Sequence, residues 1–253
     1  KLRTHKLEKE KKKLEKLIAI KTKDLNEEKE KSDKLLLNIL PAGVANELKL
    51  NGFATTRKYE KASVLFTDFK GFTKMSSEMS PEKLVQKLDE IFIAFDEVIE
   101  RNNLEKIKTI GDAYMCVSGI PDEYPNQVKN IVLSGLQLVD VMRSFNEKQK
   151  LNNEPEWNIR VGIHTGELIA GVVGKKKFAY DVWGDTVNIA SRMESNSEPG
   201  RVNVSLETYN EIKMFFNCEE RGRILTKNRG ELDMFFVNEI RQEFTKPGAL
   251  KSY

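Results

Sequence analysis

The chain is poor in both thiols and imidazoles: Cys116 and Cys218 are its only cysteines, His5 and His164 its only histidines. Cys116 lies inside a strand-like run. Two cysteines so placed exclude a disulfide scaffold and favour a reducing compartment. Two histidines argue strongly against a His/Cys zinc site, so a metal is expected to rest on carboxylates. No apolar run approaches the roughly 20 residues that a membrane-spanning helix needs, and no signal peptide opens the chain. What is present is 253 residues, 39% hydrophobic and 32% charged. That suits one soluble domain with a sizeable core plus a polar extension.

The first residue is Lys1 rather than Met, which reads as a piece of something longer. The net charge of +3 is uneven: residues 1–34 carry +5 and the remainder −2. Basic residues there suit either the cytoplasmic flank of a membrane span or a solvated helix face. Without interleaved aromatics they do not suggest a nucleic-acid partner.

Residues 1–40 form one long helix on this reading, free of Gly and Pro until Pro41. Leu7, Leu14 and Leu35 share one heptad position; Ile18, Leu25 and Ile39 share the other. Lys11, Lys21, Glu28 and Ser32 interrupt the seam, which describes a parallel coiled coil of modest stability, or else a single exposed helix. A short helix and linker follow over 41–59, a globular domain over 60–240 and a tail over 241–253. Within the domain, 61–67 reads as a strand and Ser80-Pro81 opens a helix. Strands 105–110 and 113–118 join through Gly111-Asp112, a Gly-X hairpin turn. A helix over 126–150 leads to strands 158–164 and 167–173, read as a second hairpin around Thr165-Gly166. Helices at 184–195 and 205–213 and strands at 214–220 and 233–240 complete the pattern. This order is that of an α+β, ferredoxin-like split βαβ fold: an antiparallel sheet with helices packed on it, preceded by the long N-terminal helix.

In such a fold Asp68, at the end of the strand Val64-Leu65-Phe66, and Asp112, at a hairpin tip, converge at one end of the sheet. Two hard oxygen anions there suit Mg²⁺ or Mn²⁺. On spacing alone the better reading makes Asp68 an N-cap or turn residue and Asp112 a turn residue.

Residues 62–73 (ASVLFTDFKGFT), 105–119 (EKIKTIGDAYMCVSG), 160–174 (RVGIHTGELIAGVVG) and 179–194 (AYDVWGDTVNIASRME) resemble the class III nucleotidyl cyclases. The match keeps the family's motif order over about residues 60–240. The resemblance implies two Mg²⁺ or Mn²⁺ ions per active site on Asp68 and Asp112, with the backbone carbonyl of Phe69 as a further ligand. It implies that Gly71, Phe72 and Thr73 offer backbone N–H groups to phosphate. Lys108 and Asp181 stand where ATP-using members read adenine, which presents a ring acceptor and an amino donor. Glutamate with a small polar residue would complement guanine instead. Asn188 and Arg192, four residues apart and on one helix face, stand where the family contacts ribose and stabilises charge on the reacting phosphate. Lys227 stands where the family places a lysine on the terminal phosphates, although Asn228 and Arg229 depart from the commoner pattern there. Glu167 stands where some heterodimeric relatives carry a phosphate-contacting arginine.

In the family the metal aspartates come from one subunit and the remaining groups from the other. The resemblance therefore implies a head-to-tail homodimer with two shared sites that converts ATP to cyclic AMP and pyrophosphate. It also implies an upstream sensor or membrane domain acting through the N-terminal helix on a cytoplasmic domain. Guanylate cyclase and an inactive dimerising module are the alternatives. A diguanylate cyclase is disfavoured because residues 111–115 (GDAYM) lack its hairpin signature.

Overall fold

The computed structural model describes residues 2–174, 177–226 and 230–244, with side chains from residue 7 onward. The chain divides into two compact units between Thr55 and Thr56.

The first unit is helical. α1 (Leu2–Leu37) and α2 (Ala42–Asn51) are separated by a turn at 38–41, and Lys49 Nζ donates to Asp33 Oδ1 at 2.6 Å between them. Gly52 ends α2 in the left-handed region, its N–H on the Leu48 carbonyl, as a C-terminal glycine cap does. The heptad residues Leu7, Leu14, Ile18, Leu25, Leu35 and Ile39 are each more than half exposed in the single chain.

The second unit is a sheet with helices on both faces. Its elements are β1 (Arg57–Phe69), α3 (Phe72–Ser77), α4 (Pro81–Arg101), β2 (Glu105–Ile110), β3 (Ala113–Ser118), α5 (Gln127–Leu151), β4 (Ile159–Val173), β5 (Ala179–Trp183), α6 (Asp185–Ser195), β6 (Val202–Ser205), α7 (Leu206–Ile212), β7 (Phe216–Thr226) and β8 (Gly230–Ile240). The strand order is β2-β3-β1-β4-β6-β8-β7, with β5 paired to β4. The segment β1-α4-β2-β3-α5-β4 is thus a split βαβ layer whose four strands are all antiparallel. β6 joins β4 in parallel and β8 continues antiparallel.

The two faces follow from strand alternation. Leu65 and Phe69 of β1, Tyr114 and Cys116 of β3, and Ile159, Val161 and Ile163 of β4 pack in one cluster with Ile91 and Phe95 of α4 and Ile131 and Leu138 of α5. α4 starts where Ser80 Oγ accepts from Lys83 N–H, with Pro81 at its first position, as a serine cap before proline does. Phe66, Asp68, Arg160 and Gly162 point to the other face, which carries α6. A Cβ at Gly162 would overlap the backbone of Met193 and Glu194, so only glycine lets the helix lie this close to the strand.

One expected feature is corrected. Thr165-Gly166 is not a turn: β4 runs unbroken through it, with Ser63 opposite Thr165 and Ala62 opposite Gly166. A Cβ on Gly166 would stand 2.6 Å from Thr186 Oγ1. This glycine makes room for the start of α6; β4 continues to Val173, and its antiparallel partner β5 begins at Ala179. β1 also begins earlier than expected, with a bulge between Tyr59 and Ala62, while α3, β5 and β6 are short elements that the sequence pattern did not announce.

Candidate active site

Asp68 is the penultimate residue of β1, and Asp112 is the second residue of the β2–β3 turn, after Gly111 with φ 63°. Positive φ at the first turn position followed by an ordinary residue is the Gly-X hairpin expected from the sequence. β3 lies beside β1, with Thr67 opposite Tyr114, so the turn brings Asp112 to the Asp68 end of the sheet. The two carboxylates feel each other. Asp112 is held above the ordinary carboxylate range, first by burial and next by the negative charge of Asp68. Backbone N–H groups of Asp112 and Phe69 and the Arg160 guanidinium oppose that rise.

Phe69 is itself buried, edge-on to Trp157 at 5.3 Å between ring centroids. Its side chain therefore anchors the strand end whose backbone is the candidate ligand. Gly71 takes φ 76° and caps α3, so Phe72 and Thr73 occupy the first turn, where N–H groups lack helical acceptors.

Lys108 and Asp181 form an ion pair, Nζ to Oδ2, linking β2 to β5. A β-bulge makes this possible. Lys106 pairs with Cys116 and Lys108 with Met115, so one extra residue sits between them on β2. Without it both lysines would share a face; with it Lys106 turns to Asp96 on α4 at 2.7 Å, and Lys108 turns to β5. Bulges that re-aim a side chain in this way are common beside active sites. Asp181 Oδ1 also accepts the Val182 N–H.

Asn188 and Arg192 lie one turn apart on α6, Asn188 exposed and Arg192 partly buried. Neither side chain makes an ion pair or hydrogen bond with another described residue. Glu194 does not pair with Arg192. It faces Arg160, whose Nη2 is 2.9 Å from Glu194 Oε1 and 3.5 Å from Asp68 Oδ1. Burial pushes the Glu194 carboxyl up to about 7; Arg160 opposes the rise, and Asp68 and Asp112 add to it. Lys227 lies outside the described residues.

The family model described as adenylate and guanylate cyclase catalytic domain matches residues 54–239. The chain belongs to this family. An adenylate cyclase of Mycobacterium tuberculosis is 42% identical over 213 residues, 83% of this chain and 47% of the relative. A receptor-type guanylate cyclase of Caenorhabditis elegans is 37% identical over 243 residues, 94% of this chain and 23% of the relative. The chain thus spans about half or less of the length of these curated relatives. Among solved structures, the guanylate cyclase domain of a Catenaria anguillulae protein in complex with GTP is 31% identical, with TM-score 0.69 over 73% of this chain and all of that one. An adenylyl cyclase of P. aeruginosa is 28% identical, with TM-score 0.71 over 76% of this chain and all of that one.

For a cyclase catalytic domain the donor set at the metal end is coherent. Among the described residues no group of three or more His, Cys, Asp or Glu side chains is placed to hold a metal. Asp68, Asp112 and the backbone carbonyl of Phe69 would offer an all-oxygen, incomplete shell. It fits Mg²⁺ or Mn²⁺, which retain waters and take substrate phosphates as ligands. The mutual repulsion of Asp68 and Asp112 is what a divalent cation would relieve.

Two residues of this cluster escaped the sequence reading. Arg160 and Glu194 read there only as the first residue of the 160–174 motif and the last of the 179–194 motif. The usable signal was alternation: Arg160 is charged at a position that faces Asp68 directly across the ladder.

Proposed function

We propose that this cyclase domain converts ATP to 3′,5′-cyclic AMP and pyrophosphate in a head-to-tail homodimer with two shared sites. The Lys108–Asp181 ion pair is the observation that carries the choice of base. With the Lys108 ammonium toward the ring nitrogen and the Asp181 carboxylate toward the exocyclic group, the pair matches the ring acceptor and amino donor of adenine. In that register guanine would set its ring N–H against the ammonium and its carbonyl against the carboxylate, and polar groups left without partners make such discrimination large.

The homodimer explains why two clusters coexist in one chain. Asp68 and Asp112 meet at one end of the sheet, and Lys108 and Asp181 meet beside β5. No hydrogen bond or ion pair joins the two clusters among the described residues. In the shared arrangement, one chain supplies Asp68, Asp112 and the Phe69 carbonyl, with Gly71, Phe72 and Thr73 against phosphate. Its partner supplies Lys108, Asp181, Asn188, Arg192 and Lys227. Bound Mg²⁺ or Mn²⁺ would lower the pKa of the ribose 3′ hydroxyl and neutralise charge on the departing pyrophosphate. Asn188 orients the ribose so that its 3′ oxygen lies in line with the α-phosphorus. Arg192, uncommitted to any described acid, meets the charge that develops there and lowers the barrier without a covalent step.

The exposed heptad face of α1 supports a parallel pairing of two chains through which an upstream domain would regulate the site. Two free thiols, one of them buried, support a cytoplasmic location. No described helix is long and apolar enough to cross a membrane. Guanylate cyclase is the second reading, favoured by the receptor-type relatives. Incubating the protein with Mn²⁺ and either ATP or GTP separates the two: cyclic AMP from ATP alone is expected, and cyclic GTP as the main product overturns the choice of base.

A further inference from the structure

The helix that carries Asn188 and Arg192 is fastened, in its own chain, to the aspartate of the other half-site. Asp68 and Arg160 are direct cross-strand partners on β1 and β4. The Arg160 guanidinium sits over the face that bears α6, only partly exposed. Nη2 reaches Asp68 and Glu194, and Nη1 donates to the Ser195 carbonyl at 3.4 Å, at the last turn of α6. Beneath that turn, Gly162 lets the Met193–Glu194 backbone rest on β4 with no side chain between. Arg160 Nε and Glu194 Oε1 are buried with no partner in hydrogen-bonding geometry. The contact at 2.9 Å is therefore one of charge and position rather than an aligned hydrogen bond.

We propose that Arg160 and Glu194 act as a positioning clamp that couples the two shared sites of the dimer. Arg160 orients the Asp68 carboxylate for one site. Through Glu194 and the end of α6, it sets the position of Asn188 and Arg192, which serve the other. Filling the metal end of one site then changes the pull of Asp68 on Arg160, and the change reaches the second site along a single side chain. This rests on the shared-site reading.

The first test needs no turnover. Mn²⁺ binding by the full chain, followed by the loss of its free-ion EPR signal, should weaken about tenfold to a hundredfold in Arg160→Met, as loss of a partner behind a metal ligand does. Arg160→Lys should recover part of that loss. The second test mixes an Asp68→Ala chain with an Arg192→Ala chain, whose heterodimer keeps one whole site. Arg160→Met on the chain that supplies Asp68 should raise the Mn²⁺ concentration needed for half activity. On the chain that supplies Arg192, Arg160→Met should lower kcat and leave that Mn²⁺ requirement where it was. Glu194→Gln, which keeps the side-chain volume, should reproduce the second effect there; equal melting temperatures of the heterodimers exclude a general loss of folding.

Unchanged or tighter Mn²⁺ binding in Arg160→Met overturns the clamp on Asp68. A silent substitution on the Arg192-supplying chain overturns the coupling. If the mixture without any Arg160 change forms dimers but makes no cyclic AMP, the shared-site reading fails instead, and the Mn²⁺ titration still judges the contact with Asp68.

Discussion

The proposed metal end and the proposed base-reading end of this domain solve their electrostatics in opposite ways. At the metal end two carboxylates face each other, and one of them, Asp112, is pushed up by burial and by its neighbour. At the base-reading end a lysine and an aspartate neutralise each other before any nucleotide arrives. The first cluster is unfavourable alone and becomes favourable with a cation. The second is self-satisfied, so a base must offer both partners at once to replace what the pair gives up. On the proposed reading, affinity for metal and selectivity for base would thus arise from different devices: uncompensated charge in one, matched charge in the other.

Breaking the metal end should have the largest effect. Asp68→Ala and Asp112→Ala should each leave no detectable cyclic AMP in a Mn²⁺–ATP assay. Asp112→Asn should separate repulsion from function. A carboxyl whose folded pKa is raised destabilises the fold above that pKa, and the penalty disappears as pH falls through it. In EDTA at neutral pH, Asp112→Asn should therefore melt at or above the unmodified protein, and added Mn²⁺ should no longer raise its melting temperature as it does for the unmodified chain. A lower melting temperature in EDTA would mean that the two carboxylates do not oppose each other.

Arg192→Ala comes next, with a loss in kcat on the order of 10³ and little change in Mn²⁺ binding, because the guanidinium belongs to neither cluster within its own chain. Third is the matched pair. Lys108→Glu combined with Asp181→Ser should cut ATP turnover about a hundredfold and introduce GTP turnover, since the change reverses which partner donates. Lys108→Ala alone should lose ATP turnover without gaining GTP, because it strands the Asp181 carboxylate. A double variant that still prefers ATP would show that base choice resides elsewhere.

Much of this contrast was legible in the sequence, because the residues involved sit in short motifs with local consequences. Gly111-Asp112 is a two-residue turn that needs no tertiary information, and strands 105–110 and 113–118 fall where alternation and the turn place them. The ferredoxin-like order followed from the same kind of local signal. What stayed hidden depends on close approach between distant segments. Gly166 looks like a turn glycine, yet its conformation is extended and its role is to admit Thr186. Gly162 is likewise a contact surface for α6. The bulge that turns Lys108 away from Lys106 leaves no mark, since EKIKTI alternates plausibly without it. The Arg160–Glu194 contact spans 34 positions and joins two motifs that each look complete alone.

The smallest predicted effect probes whether the base-reading end is as well satisfied as its ion pair suggests. Glu105 lies on β2 opposite Val117, on the same face as Lys108, and burial alone pushes its carboxyl up to about 7. Its ordinary value of 4.5 applies in the unfolded chain, so between about pH 4.5 and 7 the folded state binds more protons. This contribution therefore favours folding at low pH and is lost as pH rises through 7, the reverse of a salt-bridged carboxylate. Glu105→Gln should flatten the fall in urea stability between pH 5 and pH 8 by an amount on the order of 1 kcal/mol. Glu194 titrates over the same window, so part of the slope should survive in Glu105→Gln. If the slope is unchanged, Glu105 has found a cation in the assembled protein, and in that case the base-reading end is compensated at every acid it carries. If the slope flattens, the matched pair at Lys108 and Asp181 sits beside an unmatched acid, and the contrast between the two ends is one of degree.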